Sequence, residues 1–261
     1  MKKLVMLSLM VMWAGANSVT DLTVNQENIS KNSQIINSSV KQGEVNIKDS
    51  TVTNLTIGST ENTNMSKIDN SHITNSEISQ NIVDINGSSV TRTDFYSDSE
   101  IVDADIKNSS TVVQGALLVS NGGEVEDSSF TLNSSIKDAV INNSTISQNE
   151  IVVNHATVDD LTMNGTHTIH NDTGTVTITN STVTQGKLSV IENSTLQHST
   201  IDMTSSIDKT DITNSTVDLC SVYISNGADV SNVDIDGTCT MDNVEITGAT
   251  VVSGAVVIYN N

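Results

Sequence analysis

A branched aliphatic residue recurs about every five residues along much of this chain. The residues between are mainly Ser, Thr, Asn and Asp, most regularly in residues 191–222. An α-helix turns once in 3.6 residues and cannot keep a five-residue spacing on one face. Short strands joined by corners can keep it, so the pattern predicts a coil of strands around an aliphatic ladder. In this stretch the predicted ladder is Ile191, Leu196, Ile201, Ile207, Ile212, Val217 and Val222.

The five-residue unit predicts its own geometry. A Ser often stands two residues before the aliphatic position, as in Ser194-Thr195-Leu196, and an Asn often stands between units. Side chains alternate across a strand, so the Ser should point inward with the aliphatic residue and the Thr should face solvent. Asn tolerates the left-handed backbone of a tight corner. The unit therefore predicts an inward Ser, an inward aliphatic residue and an Asn corner.

This unit resembles that of the pentapeptide-repeat family, in which a small residue and an Asp or Asn precede a central Leu or Phe. The resemblance covers most of residues 19–261 and implies a right-handed parallel β-solenoid with four-sided coils. Val and Ile replace the usual Leu and Phe here, and steps of six or seven residues interrupt the fives. Some family members imitate DNA and bind gyrase, which a secreted protein would not meet.

A longer repeat lies above the short one. Segments that begin at Val112, Ile146, Val183, Val217 and Val251 share apolar residues five and seven positions later, and they start 34 or 37 residues apart. A repeat of this length holds about six short steps, which divide into two three-sided turns of about 17 residues but not into four-sided turns. The sequence therefore predicts an all-β, right-handed parallel β-solenoid with three-sided coils; flat coils of about 11 residues are the alternative.

The first sixteen residues have the features of a secretory signal. Two Lys residues precede an apolar run from Leu4 to Trp13, and Ala14-Gly15-Ala16 supplies a small-residue cleavage site. The run is too short to span a bilayer as a stable helix, and no transmembrane segment is predicted in the mature chain. We therefore expect a signal peptide at 1–16, with a retained anchor as the alternative, and a single β-solenoid repeat domain at 17–261. The predicted location is extracellular or at the cell surface, with the periplasm as the alternative.

The acidic balance of the chain limits its partners. There are 31 acidic and 11 basic residues, for a formal net charge of -20. Nucleic acids and anionic membranes require a basic patch, so neither is predicted as a ligand. The alternative interpretation is that the charge only keeps a rod soluble. No cofactor is predicted, but Ca²⁺ stays open because oxygen ligands are clustered at Asp159-Asp160, Asp98 with Glu100, and Asp103 with Asp105.

Two cysteines and two histidines are further candidate site residues. Cys220 and Cys239 lie 19 residues apart, close to one turn of the predicted coil. Neighbouring rungs about 4.8 Å apart fall within the Cα range of a disulfide, and secretion favours oxidation. The two interpretations are a disulfide and two unpaired inward cysteines. His167 and His170 stand near Asp172 in an irregular polar stretch, where a metal site is the alternative to a plain loop.

The sequence does not indicate an enzyme. It contains no nucleophile motif, P-loop or dinucleotide fingerprint, and only 2% of its residues are aromatic. Clefts that degrade polysaccharides usually need aromatic platforms. The predicted function is therefore a secreted structural or adhesive β-solenoid of a cell surface, extracellular matrix or fibre. The alternative is an extracellular binding module that presents acidic or Thr-rich faces to a cation, a glycan or ice.

The ends of the ladder predict self-association. Val251, Val256 and Ile258 are still in register close to the end of the sequence, without a recognisable helical or Pro-bearing cap. An open coil exposes unpaired backbone N–H and C=O groups. Each C-terminal coil is therefore expected to pair with the N-terminal coil of another copy, which would give filaments. Another surface protein that caps the ends is the alternative partner.

Overall fold

The structure is a computed structural model that describes residues 18–24, 27–31, 34–58, 64–69, 71–170, 172 and 176–259. Within these residues the chain is all β, without a helix, and its parallel strands stack into a β-solenoid of about six turns. This confirms the predicted fold class. The described residues contain no helix that is long and apolar enough to cross a membrane. The predicted signal peptide, residues 1–16, lies outside the described residues.

The strands follow one another closely along the chain. In order they are β1 (Ser18–Val24), β2 (Glu27–Lys31), β3 (Gln34–Ile36), β4 (Ser39–Gln42), β5 (Val45–Lys48), β6 (Thr51–Ile57), β7 (Asn64–Asp69), β8 (His72–Thr74), β9 (Glu77–Asn86), β10 (Ser89–Thr91), β11 (Asp94–Val102), β12 (Asp105–Lys107), β13 (Thr111–Ser120), β14 (Glu124–Lys137), β15 (Val140–Asn142), β16 (Thr145–Asn154), β17 (Thr157–His170), β18 (Val176–Thr179), β19 (Thr182–Ile191), β20 (Thr195–Gln197), β21 (Thr200–Thr213), β22 (Thr216–Leu219), β23 (Val222–Ser225), β24 (Asp229–Ser231), β25 (Asp234–Thr247), β26 (Thr250–Ser253) and β27 (Val256–Tyr259).

Each coil contributes strands to two sheets. In the coil of residues 111–144, β13 belongs to a ten-stranded sheet, which we call wall A. β14 and β15 belong to a seventeen-stranded sheet, which we call wall B. Every strand pairs in parallel with its equivalents in the neighbouring coils, so that Val112 lies beside Ile146 and Val125 beside Val158.

The predicted coil of about 17 residues is wrong, because the long repeat is one coil and not two. The register pairs Val183 with Val217 and Val217 with Val251, which are successive copies of the long repeat. The six short steps are present, but they run around one large coil whose strands form two sheets. Neither two three-sided turns nor the four-sided coil of the family resemblance describes it. Six steps fit either one turn or two, so the step count alone could not decide.

Residues with positive φ mark the corners of each coil. In the coil of residues 111–144 they are Gly115, Asn121, Gly122, Asp127, Asp138 and Asn143. Successive corners are about one short step apart, except for the straight stretch of 11 residues from Asp127 to Asp138. Among the described residues, Asn holds 14 of the 26 corners that are not Gly, which confirms the Asn corner. Asn suits these sites because its short polar side chain lowers the cost of left-handed backbone.

The inward Ser of the unit is also confirmed, and it connects successive coils. Ser144, Ser181 and Ser215 are buried at equivalent corners. The backbone N–H of Ser144 donates to Ser181 Oγ at 3.2 Å, and that of Ser181 donates to Ser215 Oγ at 3.1 Å. Ser181 Oγ itself donates to the carbonyl of Thr179 at 2.8 Å. The hydroxyl therefore satisfies a buried backbone N–H that the strand ladders do not reach.

The aliphatic residues form two cores rather than one. Leu196, Ile201 and Val222 belong to the first, and Ile207, Ile212 and Val217 to the second. Each core runs through successive coils as a stack of like residues. The first also contains the rings of Phe95 and Phe130, which are buried on neighbouring strands with centroids 6.1 Å apart. The single narrow column expected from the sequence is therefore two parallel columns inside one wide coil.

Ile191 is not part of either core, contrary to the predicted ladder. It is half-buried at the end of β19, beside Asn154 in the outward column, whereas Val190 is fully buried. The cause is Gly186, whose φ of 63° interrupts the strand alternation. Before Gly186 the odd-numbered residues Val183 and Gln185 point inward. After it the alternation is shifted by one residue, so that Leu188 and Val190 point inward.

The core assignment predicts the effect of a charge at Ile201, which is 0% exposed. Ile201→Asp should lower the free energy of unfolding by more than about 4 kcal/mol, because it buries an unpaired carboxylate among apolar residues. Thr162→Asp is the matched control, since Thr162 is exposed between Ser129 and Thr200 on the outside of wall B. Thermal unfolding followed by circular dichroism measures both. Equal losses in the two variants would contradict the inward and outward assignment.

Candidate functional site

The two cores are separated by a strip of polar and small residues where wall A and wall B approach each other; we call this strip the waist. One half of the waist consists of five Gln residues of wall A, followed in each coil by a residue with positive φ. The Gln residues are Gln42, Gln80, Gln114, Gln148 and Gln185. The residue after the Gln faces wall B, as Asn81, Gly115, Asn149 and Gly186 do, and Cys220 takes the same place after Leu219. The other half, on wall B, is Ser99, Ser134, His167, Ser205 and Cys239.

The five Gln side chains form a hydrogen-bonded ladder parallel to the solenoid axis. Each amide Nε2 donates to the Oε1 of the Gln in the preceding coil, at distances of 2.8, 2.9, 3.0 and 2.7 Å. All five side chains are buried. The ladder stops below Leu219, which takes the next position, and Gln185 Oε1 has no partner among the described residues. Because a buried amide without partners is costly, the ladder favours one register of the coils over a slipped one.

Different coils close the waist with different chemistry. Asn81 accepts a hydrogen bond from Ser66 Oγ at 2.8 Å and donates to Ser99 Oγ at 3.0 Å. Asn149 Nδ2 lies 2.9 Å from His167 Nε2. Where the wall A residue is Gly186, a Cβ atom would lie 2.8 Å from Ser205 Oγ, so the approach of the walls requires Gly there.

Cys220 and Cys239 close the waist of the last complete coil with a covalent bond. Their sulfur atoms are 2.08 Å apart and their Cα atoms 6.3 Å apart. They lie in the same coil on facing walls, and not on neighbouring rungs of one column as the sequence predicts. The chain needs 19 residues to run from the waist position of wall A round to the waist position of wall B. Gly186 and Ser205, which take these two positions in the preceding coil, are also 19 residues apart. The disulfide thus replaces contacts that other coils make with small or polar side chains.

His167 is a buried member of the waist and not part of a loop, which corrects its predicted position. It lies within β17, is 0% exposed, and stacks between Ser134 and Ser205. Burial lowers the pKa of its imidazole to about 3, so the ring is neutral near pH 7. Gly165 makes room for it, since a Cβ atom there would lie 2.1 Å from Asn149 Nδ2 and 2.7 Å from the ring.

The remaining metal candidates are dispersed over the outer surface. His170 is outward on β17, with Nε2 3.3 Å from Asp172 Oδ1 and separate from His167. The residues that the structure describes contain no group of three or more His, Cys, Asp or Glu side chains that could hold a metal ion.

The predicted acidic clusters contact polar or basic groups of the solenoid itself, in the same strand or in a neighbouring coil. Asp159 accepts hydrogen bonds from His198 at 2.9 Å and Gln197 at 3.1 Å, and these bonds, first that of His198, lower the pKa of its carboxyl. Asp98 accepts one from Asn133 at 2.9 Å. Asp105 forms an ion pair with Lys107. These carboxylates therefore already have donors on the solenoid surface.

Glu100 bridges three coils. Its carboxylate lies 2.7 Å from Lys67 Nζ and 3.1 Å from Lys137 Nζ. Burial alone would raise the pKa of this carboxyl, but the hydrogen bonds from the two ammonium groups lower it below its ordinary value. The contact is a cross-coil ion pair rather than an empty cation site.

The last coil exposes positions that are inward in the coils before it. Val256 pairs with Val222 and Ile258 with Ile224, both on the core side of wall A. Val256 is 64% exposed and Ile258 71% exposed, whereas Val222 is 6% exposed. Val251, which pairs with Val217, is half-buried. Their exposure arises because no further coil covers them within the described chain.

The sequence contained a signal for the waist that the aliphatic pattern hid. The long-repeat segments that begin at Val112, Ile146 and Val183 carry Gln two residues later, followed by Gly or Asn, as in Gln114-Gly115, Gln148-Asn149 and Gln185-Gly186. Because Gln is mostly exposed in proteins, this recurrence by itself does not indicate a buried ladder.

The buried His167 predicts a pH-dependent stability. Its pKa is about 3 when folded against an ordinary 6.5. Between these values the unfolded chain binds a proton that the folded chain does not, so stability should fall as pH falls from about 6.5 toward 3, by at most about 1.4 kcal/mol per pH unit. His167→Ser copies the residue of the adjacent coils and is the comparison. Urea unfolding from pH 7.5 to 4 should show a steeper acid loss for the native chain; parallel curves would contradict the prediction.

No known protein family matches the chain, and no curated protein matches it. One similar solved structure is HetL, a pentapeptide repeat protein involved in heterocyst differentiation regulation from the cyanobacterium Nostoc sp. strain PCC 7120. It is 10% identical over 86% of this chain and 89% of that chain, with a TM-score of 0.15. A TibC-catalysed hyper-glycosylated fragment of TibA is 15% identical over 94% of this chain and all of that chain, with a TM-score of 0.11. The described chain shares the parallel β-solenoid that the pentapeptide-repeat resemblance implies, but not its four-sided coil.

Proposed function

We propose that the protein is a secreted structural or adhesive rod of a cell surface, extracellular matrix or fibre. The observation that carries the proposal is the continuity of its interior. Two apolar cores and one Gln ladder pass through successive coils, and each coil supplies hydrogen-bonding partners to the next. Such a stack is stiff along its axis because each strand is paired on both sides. Stiffness and length are what a spacer or fibre element contributes.

The disulfide supports a location outside the cytosol. Cys220 and Cys239 are the two cysteines of the sequence, and both are engaged in one bond. Structural disulfides persist in oxidising compartments and are rare in the cytosol. Together with the signal-like residues 1–16, this favours the extracellular face, with the periplasm as the alternative.

We propose no catalytic activity for the rod. The group with the most altered protonation is His167, which is fully buried between the two walls and cannot reach a substrate. Among the described carboxylates with shifted pKa values, Glu100 and Asp159 are bonded to side chains of neighbouring coils. The third is Asp84, whose pKa is raised by burial. None of these positions brings a nucleophile and a base together.

The location and the oxidation state can be tested together in cells that produce the full chain. Free thiols are trapped in acid, alkylated under denaturing conditions and mapped by mass spectrometry, while antibodies label intact cells. We expect Cys220 and Cys239 to escape alkylation until reduced, and intact cells to be labelled. If Cys220 and Cys239 are alkylated without reduction and the antibodies label the cells only after lysis, the proposed role is refuted. Oxidised thiols with labelling only after the outer envelope is opened would establish the periplasm instead.

A second candidate function is binding through a hydroxyl grid on wall B. Thr166, Thr204 and Thr238 stack in one outward column, and Thr168, Ser206 and Thr240 stack in the next. None of these residues is buried. Rungs are about 4.8 Å apart and outward neighbours along a strand about 6.7 Å apart, so the hydroxyls repeat in two directions.

The grid has a simple test. Binding of the purified chain to ice and to a glycan panel, with and without Ca²⁺, is compared with that of Thr204→Val, which keeps the shape and removes the central hydroxyl. Thr131→Val, on the outside of wall B before the grid, is the control. The candidate function predicts binding that Thr204→Val weakens at least about tenfold, the equivalent of about 1.4 kcal/mol. Absence of binding, or equal loss in both variants, would eliminate it.

A further inference from the structure

The two walls do not begin and end together in the described chain. Wall B begins first, because β1, β2 and β3 pair with β6, β7 and β8 before the first strand of wall A, β4. Wall A ends last, because β26 and β27 extend it beyond β25, the final strand of wall B. One end of the described solenoid is therefore a half coil of wall B, and the other end is a half coil of wall A.

The two half coils are complementary. A complete coil consists of a wall A segment followed by a wall B segment, as in β13 followed by β14 and β15. At one end β26 and β27 supply only the wall A segment, and at the other end β1 to β3 supply only the wall B segment. We propose that two copies of the protein join end to end, so that β26 and β27 of one copy and β1 to β3 of the next complete one shared coil.

The apolar columns match across this joint. Val251, Val256 and Ile258 occupy inward columns of wall A. The first strands of wall A begin the same columns with Val40, Val45 and Ile47, which pair with Ile78, Val83 and Ile85. In an end-to-end stack each of these three C-terminal side chains lies over a Val or Ile of the next copy. The contact removes from water side chains that are up to 71% exposed in a single copy.

The edge that β26 and β27 present at the joint lacks the usual protection against pairing. Edge strands are commonly blunted by charged residues or Pro. The sequence has no Pro, and neither Thr250–Ser253 nor Val256–Tyr259 carries a charge. β26 and β27 have one strand partner each in the described chain, on the side of β22 and β23. Their other edge offers backbone N–H and C=O groups to a parallel strand.

The joint is heterologous, so repeated addition does not close and produces a filament. Each wall contains seven rungs between β1 and β27. The numbers are equal because wall B has one extra rung at the start of the described chain and wall A has one at its end. Rungs about 4.8 Å apart then give an axial repeat of roughly 34 Å per copy. This inference extends the proposed structural role, but it rests on the register of the two ends and not on where the protein is located.

The purified full chain tests the joint. Sedimentation over a concentration series should show growing assemblies, and negative-stain microscopy should show filaments of roughly 34 Å repeat. Val256→Lys with Ile258→Lys should abolish them without unfolding the chain, because both side chains are exposed in the single copy. Val140→Lys with Thr162→Lys adds the same charge at exposed positions in the middle of the solenoid, away from the joint, and should leave them intact. A monomer at all concentrations, or filaments unaffected by the first double variant, would overturn the proposal.

Cross-linking distinguishes this joint from other pairings. Copies with Val45→Cys are mixed with copies with Val256→Cys, which the joint places on neighbouring rungs within the Cα range of a disulfide. Linked dimers are expected in the mixture and in neither preparation alone. Dimers in the Val256→Cys preparation alone would show a tail-to-tail contact and overturn the proposal. Failure of this test would leave the labelling of intact cells unaffected, so the joint and the cellular role fail separately.

Discussion

Parallel pairing between successive coils is the interaction on which the rest of the structure depends. A single coil cannot satisfy its own backbone, because the partners of each strand lie in the coils before and after it. The buried polar side chains obey the same rule, as Gln148 donates to Gln114 and accepts from Gln185. Stability is therefore a property of neighbouring coils together, as in other repeat proteins, and a residue is best understood by its column.

The waist explains how one coil can be about twice as long as the coil of about 17 residues that the short repeat predicts. A coil of this circumference would enclose a wide interior that Val and Ile side chains alone do not fill. Drawing wall A toward wall B divides that interior into two narrow cores, each packed by branched aliphatic residues. The approach needs small or mutually bonded residues at the contact, which are Gly186 with Ser205, Asn149 with His167, and the disulfide. The cores and the waist are thus one design.

The local rules were predictable from the sequence because they act within five residues. Strand alternation placed Ser215 and Val217 inward, and the preference of Asn for left-handed backbone placed Asn214 at a corner. Features that depend on stacking were not predictable in the same way. Ile191 follows the five-residue pattern but faces outward because Gly186 shifts the alternation. His167 stands in a polar stretch typical of a loop, and only its column, between Ser134 and Ser205, identifies it as interior.

A residue's column also determines how freely that residue can be replaced. An inward change disturbs a core or the waist through several coils, whereas an outward residue contacts at most the coils on either side. The outward pairs Lys67 with Glu100 and Lys187 with Glu150 connect coils through ions that are still partly in contact with solvent, and such pairs contribute little individually. Binding specificity is therefore free to develop on the outer faces, where the hydroxyl grid lies. The C-terminal end of the described solenoid differs from both, because there the inward residues Val256 and Ile258 meet solvent, and a second copy that covers them would continue the rod.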